Sequence, residues 1–142
     1  MTDDSCLFCS IVSGATKAVI VHEDPDSLVF LDHRPLFPGH CLVVPRKHSE
    51  TLSDLPEESI EPFFKLVQSM ARAVESAMAA EGTFVAMNNR VSQSVPHLHV
   101  HVVPRKRKDG LKGFFWPRTK YTNPDEMMEV GKRITEQLSQ LG

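Results

Sequence analysis

The chain is poor in the features that mark secreted, membrane-bound or nucleic-acid-coating proteins. Its 142 residues include three cysteines, one tryptophan and one tyrosine. Three cysteines do not make a disulfide framework, so free thiols or metal ligands are expected. No apolar run approaches the roughly 20 residues of a membrane-spanning helix. The opening Met1-Thr2-Asp3-Asp4 is acidic and does not read as a signal peptide. These absences predict a cytoplasmic protein with no membrane partner. Charge of neither sign dominates: 16 Lys and Arg stand against 18 Asp and Glu, for a net charge of −2. No general field draws nucleic acid, and no specific nucleic-acid partner is expected. Repeats, low-complexity tracts and linkers are missing too. The length suits one domain spanning 1–142, with one sizeable core.

Short runs rich in Val, Ile and Phe, bounded by turn residues such as Asp24-Pro25-Asp26 and Pro38-Gly39, predict strands at about 18–21, 28–31, 41–44, 84–87 and 98–103. A long helix is predicted over about 56–80. Pro56 suits its first position, and Glu57 and Glu58 complement the positive end of its dipole. Ile60, Phe63, Val67, Met70, Val74 and Ala77 form an apolar stripe, and Gly82 is the expected stop. A second helix is expected from Asn123-Pro124, with Met127, Ile134, Leu138 and Leu141 as a core face. Strands in a run with inserted helices indicate an α+β protein built on an antiparallel sheet of about five strands.

Against that background, His97-Leu98-His99-Val100-His101-Val102-Val103 stands out. Side chains two apart on a strand share a face, so three imidazoles line up roughly 6.6 Å apart while Leu98, Val100 and Val102 face a core. Two chemistries use such a row. Neutral imidazoles can bind zinc, although a straight row lets at most two share one ion comfortably. Alternatively, an imidazole attacks phosphorus and forms a covalent intermediate that water cleaves, with neighbouring histidines contacting phosphate oxygens. A histidine pKa near 6.5 keeps most of such a nucleophile neutral at physiological pH. Gln93 and Ser94 stand ready for a leaving group. Arg105-Lys106-Arg107-Lys108 either attracts polyphosphate or forms a solvated turn. Upstream, Cys6 and Cys9 have the spacing of a chelating pair, and Cys41 reads as a small buried hydrophobe.

The stretch from Gln93 to Val103 resembles the signature of the histidine-triad (HIT) nucleotide hydrolases and transferases. Cys6-Leu7-Phe8-Cys9 with Ile11, Phe30-Leu31-Asp32, Pro38-Gly39-His40 and Val43-Val44-Pro45-Arg46-Lys47-His48 follow in the family's order, so the resemblance covers about residues 5–105. It implies the HIT fold, with a C-terminal extension from about 106 to 142. It further implies that His99 is the nucleophile and that His101 contacts phosphate and supports it. The His97 carbonyl would orient the nucleophile's other ring nitrogen, and Ser94 and Gln93 would face the leaving group. Asp32 would bind the ribose hydroxyls, and Phe8, Ile11, Phe30 and Leu31 would form the slot for a purine base. Asn88 would reach the phosphate or leaving group. Several bacterial members that begin with this CxxC pair hold zinc, and the resemblance maps the ligands onto Cys6, Cys9, His48 and His97. With no open position, that zinc would be structural, and the reaction would need no catalytic metal. Such proteins are commonly homodimers.

Two features depart from the family. Ser92 stands where a glycine is usual, and the segment 88–92 is about two residues short. The aromatic segment Gly113-Phe114-Phe115-Trp116-Pro117-Arg118 lies outside the signature. It would pack on the site, cross a dimer interface or anchor the last helix. Two rival functions remain at this level: a zinc hydrolase using the histidines as ligands, and a nucleotide-binding scaffold without turnover.

Overall fold

The computed structural model describes residues 5–111 and 118–141. The chain divides into two units, Met1–Asp109 and Gly110–Gly142. In the first, helix α1 (Leu7–Ser13) precedes strands β1 (Ile20–Glu23), β2 (Ser27–Leu31) and β3 (Cys41–Pro45). Helix α2 (Glu57–Ala77), strand β4 (Gly82–Ala86) and strand β5 (Val100–Arg105) follow. The strands form one antiparallel sheet in the order β1-β2-β3-β5-β4. This is the expected α+β architecture. The expected strand at 18–21 begins two residues later, and that at 84–87 begins earlier, at Gly82.

Period-two alternation gives the sheet two buried faces. Val29, Cys41, Val43, Leu98, Val100 and Val102 pack with Phe63, Val67, Met70 and Val74 of α2. On the other face, Leu28, Phe30, Leu42 and Val44 pack with Cys6, Phe8, Cys9 and Ile11. Because Leu42 pairs with His101, the histidine row lies on this second face, under α1. Helix α1 is absent from the sequence reading, although its signals are present. Cys6 caps it with its thiol, which accepts from the Cys9 N–H, and Gly14 closes it at φ +85°. Phe8 and Ile11, one turn apart, supply the buried side.

Three expectations about the helices are corrected. The buried stripe of α2 is Phe63, Val67, Met70 and Val74, while Ile60 and Ala77 at its ends are exposed. Gly82 does not stop α2. The helix ends at Ala77, Ala79 turns the chain at φ +49°, and Gly82 is already the first residue of β4. In the second unit, α3 (Pro124–Leu141) starts as expected, with the Asn123 carboxamide accepting from the Glu126 N–H at 2.8 Å. Its apolar stripe is not a core face, however: Met127, Ile134, Leu138 and Leu141 are all exposed. Periodicity reports an amphipathic helix but not what covers it. Residues 113–117 of the aromatic segment lie outside the described residues.

One glycine matters to the site. Gly39 takes φ +96° immediately before His40, and a Cβ there would sit 2.6 Å from Met78 Cγ. The turn that delivers His40 therefore passes beneath the end of α2, where only glycine fits.

Candidate active site and metal cluster

The strand expected at 98–103 begins at Val100, so His101 stands at the start of β5 and His97 and His99 just before it, and hydrogen bonds that fix all three also determine their tautomers. His99 Nδ1 lies 2.7 Å from the His97 carbonyl oxygen. A carbonyl only accepts, so Nδ1 carries the hydrogen and Nε2 keeps a free lone pair. His99 is buried, and that burial lowers its pKa, with the His97 carbonyl and the Asp32 carboxylate opposing the shift. The ring is therefore neutral near pH 7. Phe8 braces it edge-on, with ring centroids 4.9 Å apart.

The same reasoning runs through His40. The Leu36 N–H donates to His40 Nδ1 at 3.0 Å. The neutral His40 ring then bears its hydrogen on Nε2, which donates to His101 Nδ1 at 2.9 Å. His101 consequently holds its own hydrogen on Nε2. Burial pushes the His101 pKa down to about 4, helped by neighbouring His99 and His40. It lowers His40 too, partly offset by Asp32. Asp32 Oδ2 is 3.7 Å from His40 Nε2, and Oδ1 accepts from the Arg34 N–H at 2.9 Å. Asp32, His40 and His101 are close enough to share a metal ion. A metal on His40 Nε2 would force the ring hydrogen onto Nδ1, against the Leu36 N–H. This trio suits a directed chain of hydrogen bonds better than a metal.

The cysteine pair presents the opposite case. His97 is fully buried, and its Nε2–H donates to the Pro45 carbonyl at 2.8 Å. Nδ1 thus turns its lone pair toward Cys6 Sγ and Cys9 Sγ, each 3.5 Å away, and His48 Nδ1 lies 3.2 Å from Cys9 Sγ. Tetrahedral zinc, with bonds of roughly 2.3 Å to sulfur and 2.05 Å to nitrogen, sets such atoms about 3.6 Å apart. The four ligand atoms all lie within 4.8 Å of one another. Donor chemistry, spacing and the hydrogen bond that fixes the His97 tautomer all fit a Cys₂His₂ zinc. Burial depresses the His97 pKa to about 4, which keeps the lone pair available.

A cleft of about 970 Å³ opens over the histidine face. Of the residues singled out from sequence, Phe8, Ile11, Phe30, Leu31, Asp32, Ser94, His99 and His101 line it. His97 lies behind, between the zinc cluster and His99. Gln93 and Asn88 do not line the cleft. The Gln93 carboxamide donates to the Glu50 carbonyl at 2.6 Å and accepts from the Arg90 N–H at 2.8 Å. Asn88 is exposed and donates to the Ser92 carbonyl. Ser92 takes φ +60°, which accounts for the glycine usual at that place. Two side chains of the basic run are held in ion pairs: Arg105 grips Asp109 through two bonds of 2.6 and 3.0 Å, and Arg107 pairs with Glu81 at 2.7 Å. Sequence reasoning missed Leu7, Thr16, Lys17, Val19, His33, Leu42 and Val95 in the cleft wall. The helical period of 7–12 would have pointed to Leu7. The others come together only through sheet pairing.

Comparison with known proteins agrees with this geometry. The HIT domain matches residues 13–108. The adenosine 5′-monophosphoramidase hnt1 of Schizosaccharomyces pombe is 33% identical over 94% of this chain and 98% of its own length. A Bacillus subtilis HIT family structure superposes with a TM-score of 0.86 at 31% identity, covering 94% of this chain and 96% of that one. A zinc-bound histidine triad family protein from Mycobacterium smegmatis gives a TM-score of 0.72 at 34% identity, covering 97% and 98%. With its histidine row, its cleft and its Cys₂His₂ cluster in the arrangement described, the chain belongs to the HIT family.

Proposed function

We propose that this chain is a nucleotide hydrolase working through a nucleotidyl-histidine. A purine nucleoside phosphoramidate or dinucleoside polyphosphate binds with its base on Phe8, Ile11, Phe30 and Leu31 and its ribose hydroxyls on Asp32. The His99 Nε2 lone pair forms a bond to the α-phosphorus as the bond to the leaving group breaks. Ser94 hands its hydroxyl proton to a departing amine and regains a proton from the water that attacks in the second step. The His101 Nε2–H donates to a phosphate oxygen. Water then attacks phosphorus, the P–N bond breaks, and nucleoside monophosphate leaves. The observation that carries this reading is the His99 tautomer: a neutral, buried ring held at Nδ1 by the His97 carbonyl, with Nε2 free. The phosphoramidase activity named for the S. pombe relative supports the substrate class. Zinc held by Cys6, Cys9, His48 and His97 fills four positions with protein ligands, so its role is structural: it ties the start of α1 to the start of the catalytic strand.

The test is His99→Ala and His99→Gly. Both abolish turnover while nucleoside monophosphate still binds, because base and ribose contacts lie elsewhere. Wild-type protein quenched during turnover carries phosphorus bonded to a His99 nitrogen. If His99→Ala retains a tenth of the wild-type kcat, the covalent route is wrong. Tight monophosphate binding with no turnover on any nucleotide would identify a scaffold instead.

A further inference from the structure

We infer that Lys17 reads the base, and that the preferred substrates are 6-oxopurine nucleotides, with guanine or hypoxanthine, over adenine nucleotides. The inference rests on the nucleotide reading above. The lining of the cleft is of two kinds. Asp32, His33, Ser94, His99 and His101 are polar. Leu7, Phe8, Ile11, Ala18, Val19 and Phe30 are apolar, and such carbon surface holds any purine without telling one from another.

Two hydrogen-bonding side chains interrupt that wall, Thr16 and Lys17. The Thr16 hydroxyl is already engaged by the Ser10 hydroxyl of α1, which also pins the segment to the helix. The next hold on this segment is the Leu31 N–H, which donates to the Val19 carbonyl at 3.0 Å and sets it beside Asp32. Between these two anchors stands Lys17, exposed and without an ion pair or hydrogen-bond partner for its ammonium among the described residues. Among the described residues it is the one lysine or arginine in the cleft wall.

An ammonium offers three donors and no acceptor. The edge of guanine or hypoxanthine presents two adjacent acceptors, O6 and N7, and a positive donor meets both favourably. Adenine presents an amino donor beside N7, and that donor opposes the ammonium. Because Lys17 is solvent-exposed, the discrimination is modest, about ten-fold, rather than the far larger ratio of a sealed site.

Titration calorimetry of the zinc-loaded protein with GMP, IMP and AMP tests this. GMP and IMP should bind about ten-fold tighter than AMP, and the 2-aminopurine ribonucleotide, which has N7 but neither O6 nor the opposing 6-amino group, should fall between them. Lys17→Met keeps the aliphatic stem and should bring GMP, IMP and AMP within about two-fold of one another. Lys17→Arg should retain the preference. Equal affinities in the wild type, or an undiminished preference in Lys17→Met, would overturn the inference while leaving the nucleotide reading intact. Failure of all three monophosphates to bind would overturn the nucleotide reading itself.

Discussion

His97 and His101 carry their hydrogen on Nε2 and His99 carries its own on Nδ1, and neighbouring backbone decides which. The Pro45 carbonyl, the His97 carbonyl and the Leu36 N–H act directly or through His40 to place three hydrogens. Burial holds His101 near pKa 4 in the folded chain, against about 6.5 unfolded. As pH falls, the unfolded chain takes up its proton first. This group leaves stability untouched above about 6.5 and weakens it progressively between 6.5 and 4, by at most about 1.4 kcal/mol per pH unit. Urea midpoints measured across that window should fall with acidity, and less steeply in His101→Gln. At Ser94, removal of the proton donor should slow phosphoramidate cleavage by about 10²–10⁴-fold. Dinucleoside polyphosphates, whose leaving group departs as a stabilised anion, should suffer much less. Parallel kcat measurements on Ser94→Ala decide it, and equal losses would mean that Ser94 positions phosphate instead. At this scale the sequence singled out Phe8, Ile11, Phe30, Leu31, Asp32, Ser94, His99 and His101, which the fold brings into one cleft. It was silent on tautomers, because Leu36, Pro45 and His40 reach the row only through the fold. It also suggested uses for the Gln93 and Asn88 side chains that loop hydrogen bonds already occupy.

Among the elements, α1 links the metal cluster to the cleft. Its cap residue Cys6 is also a ligand atom of the cluster, and Phe8, two positions on, braces His99. The two roles of Cys6 can be separated. Cys6→Ser keeps a capping oxygen but loses a zinc ligand, whereas Cys6→Ala loses both. Elemental analysis should find about one zinc per chain in the wild type and a large loss in both variants. Cys6→Ala should also melt lower than Cys6→Ser by the worth of a cap, about 1 kcal/mol. Metal-free wild-type protein prepared without chelator would sink the zinc reading. On α2, Phe63 is buried against the sheet and Phe63→Ala should cost about 3–5 kcal/mol. Ile60→Ala, on the exposed end of the same stripe, should cost well under 1 kcal/mol in denaturant titrations. The strands were legible because short runs rich in Val, Ile and Phe lie between turn residues such as Asp24-Pro25-Asp26 and Pro38-Gly39. The short α1 was not, since one helical turn of apolar residues looks like part of a motif. The end of α2 was misplaced because Ala79, and not a glycine, takes the left-handed turn.

At the scale of the whole molecule, β1 and β4 are the outer strands of the first unit's sheet. Val85 on β4 presents an exposed apolar side chain. Together with the family resemblance, this predicts a homodimer. Sedimentation equilibrium should return about 32 kDa, twice the 15.9 kDa of one chain. Val85→Lys should shift the population toward monomer, and a wild type that stays monomeric at high concentration would exclude the dimer. No helix among the described residues is long and apolar enough to cross a membrane. The apolar stripe of α3 shows what sequence cannot supply at this scale. Met127, Ile134 and Leu138 announce an interface, yet a periodic pattern carries no information about which surface answers it.

His97 serves the two sites in unlike ways: its ring belongs to the cysteines, but its carbonyl belongs to His99. Every amino acid has that carbonyl, and only a few have such a ring. A lineage that lost Cys6 and Cys9 could therefore exchange the first histidine for another residue that fills the same buried space, and the nucleophile would still find its acceptor. On the proposed mechanism His99 and His101 have no such latitude, because there their rings do the work. On that reading the triad is chemically a pair of imidazoles and a peptide group, and its first member owes its identity to the metal rather than to the phosphate.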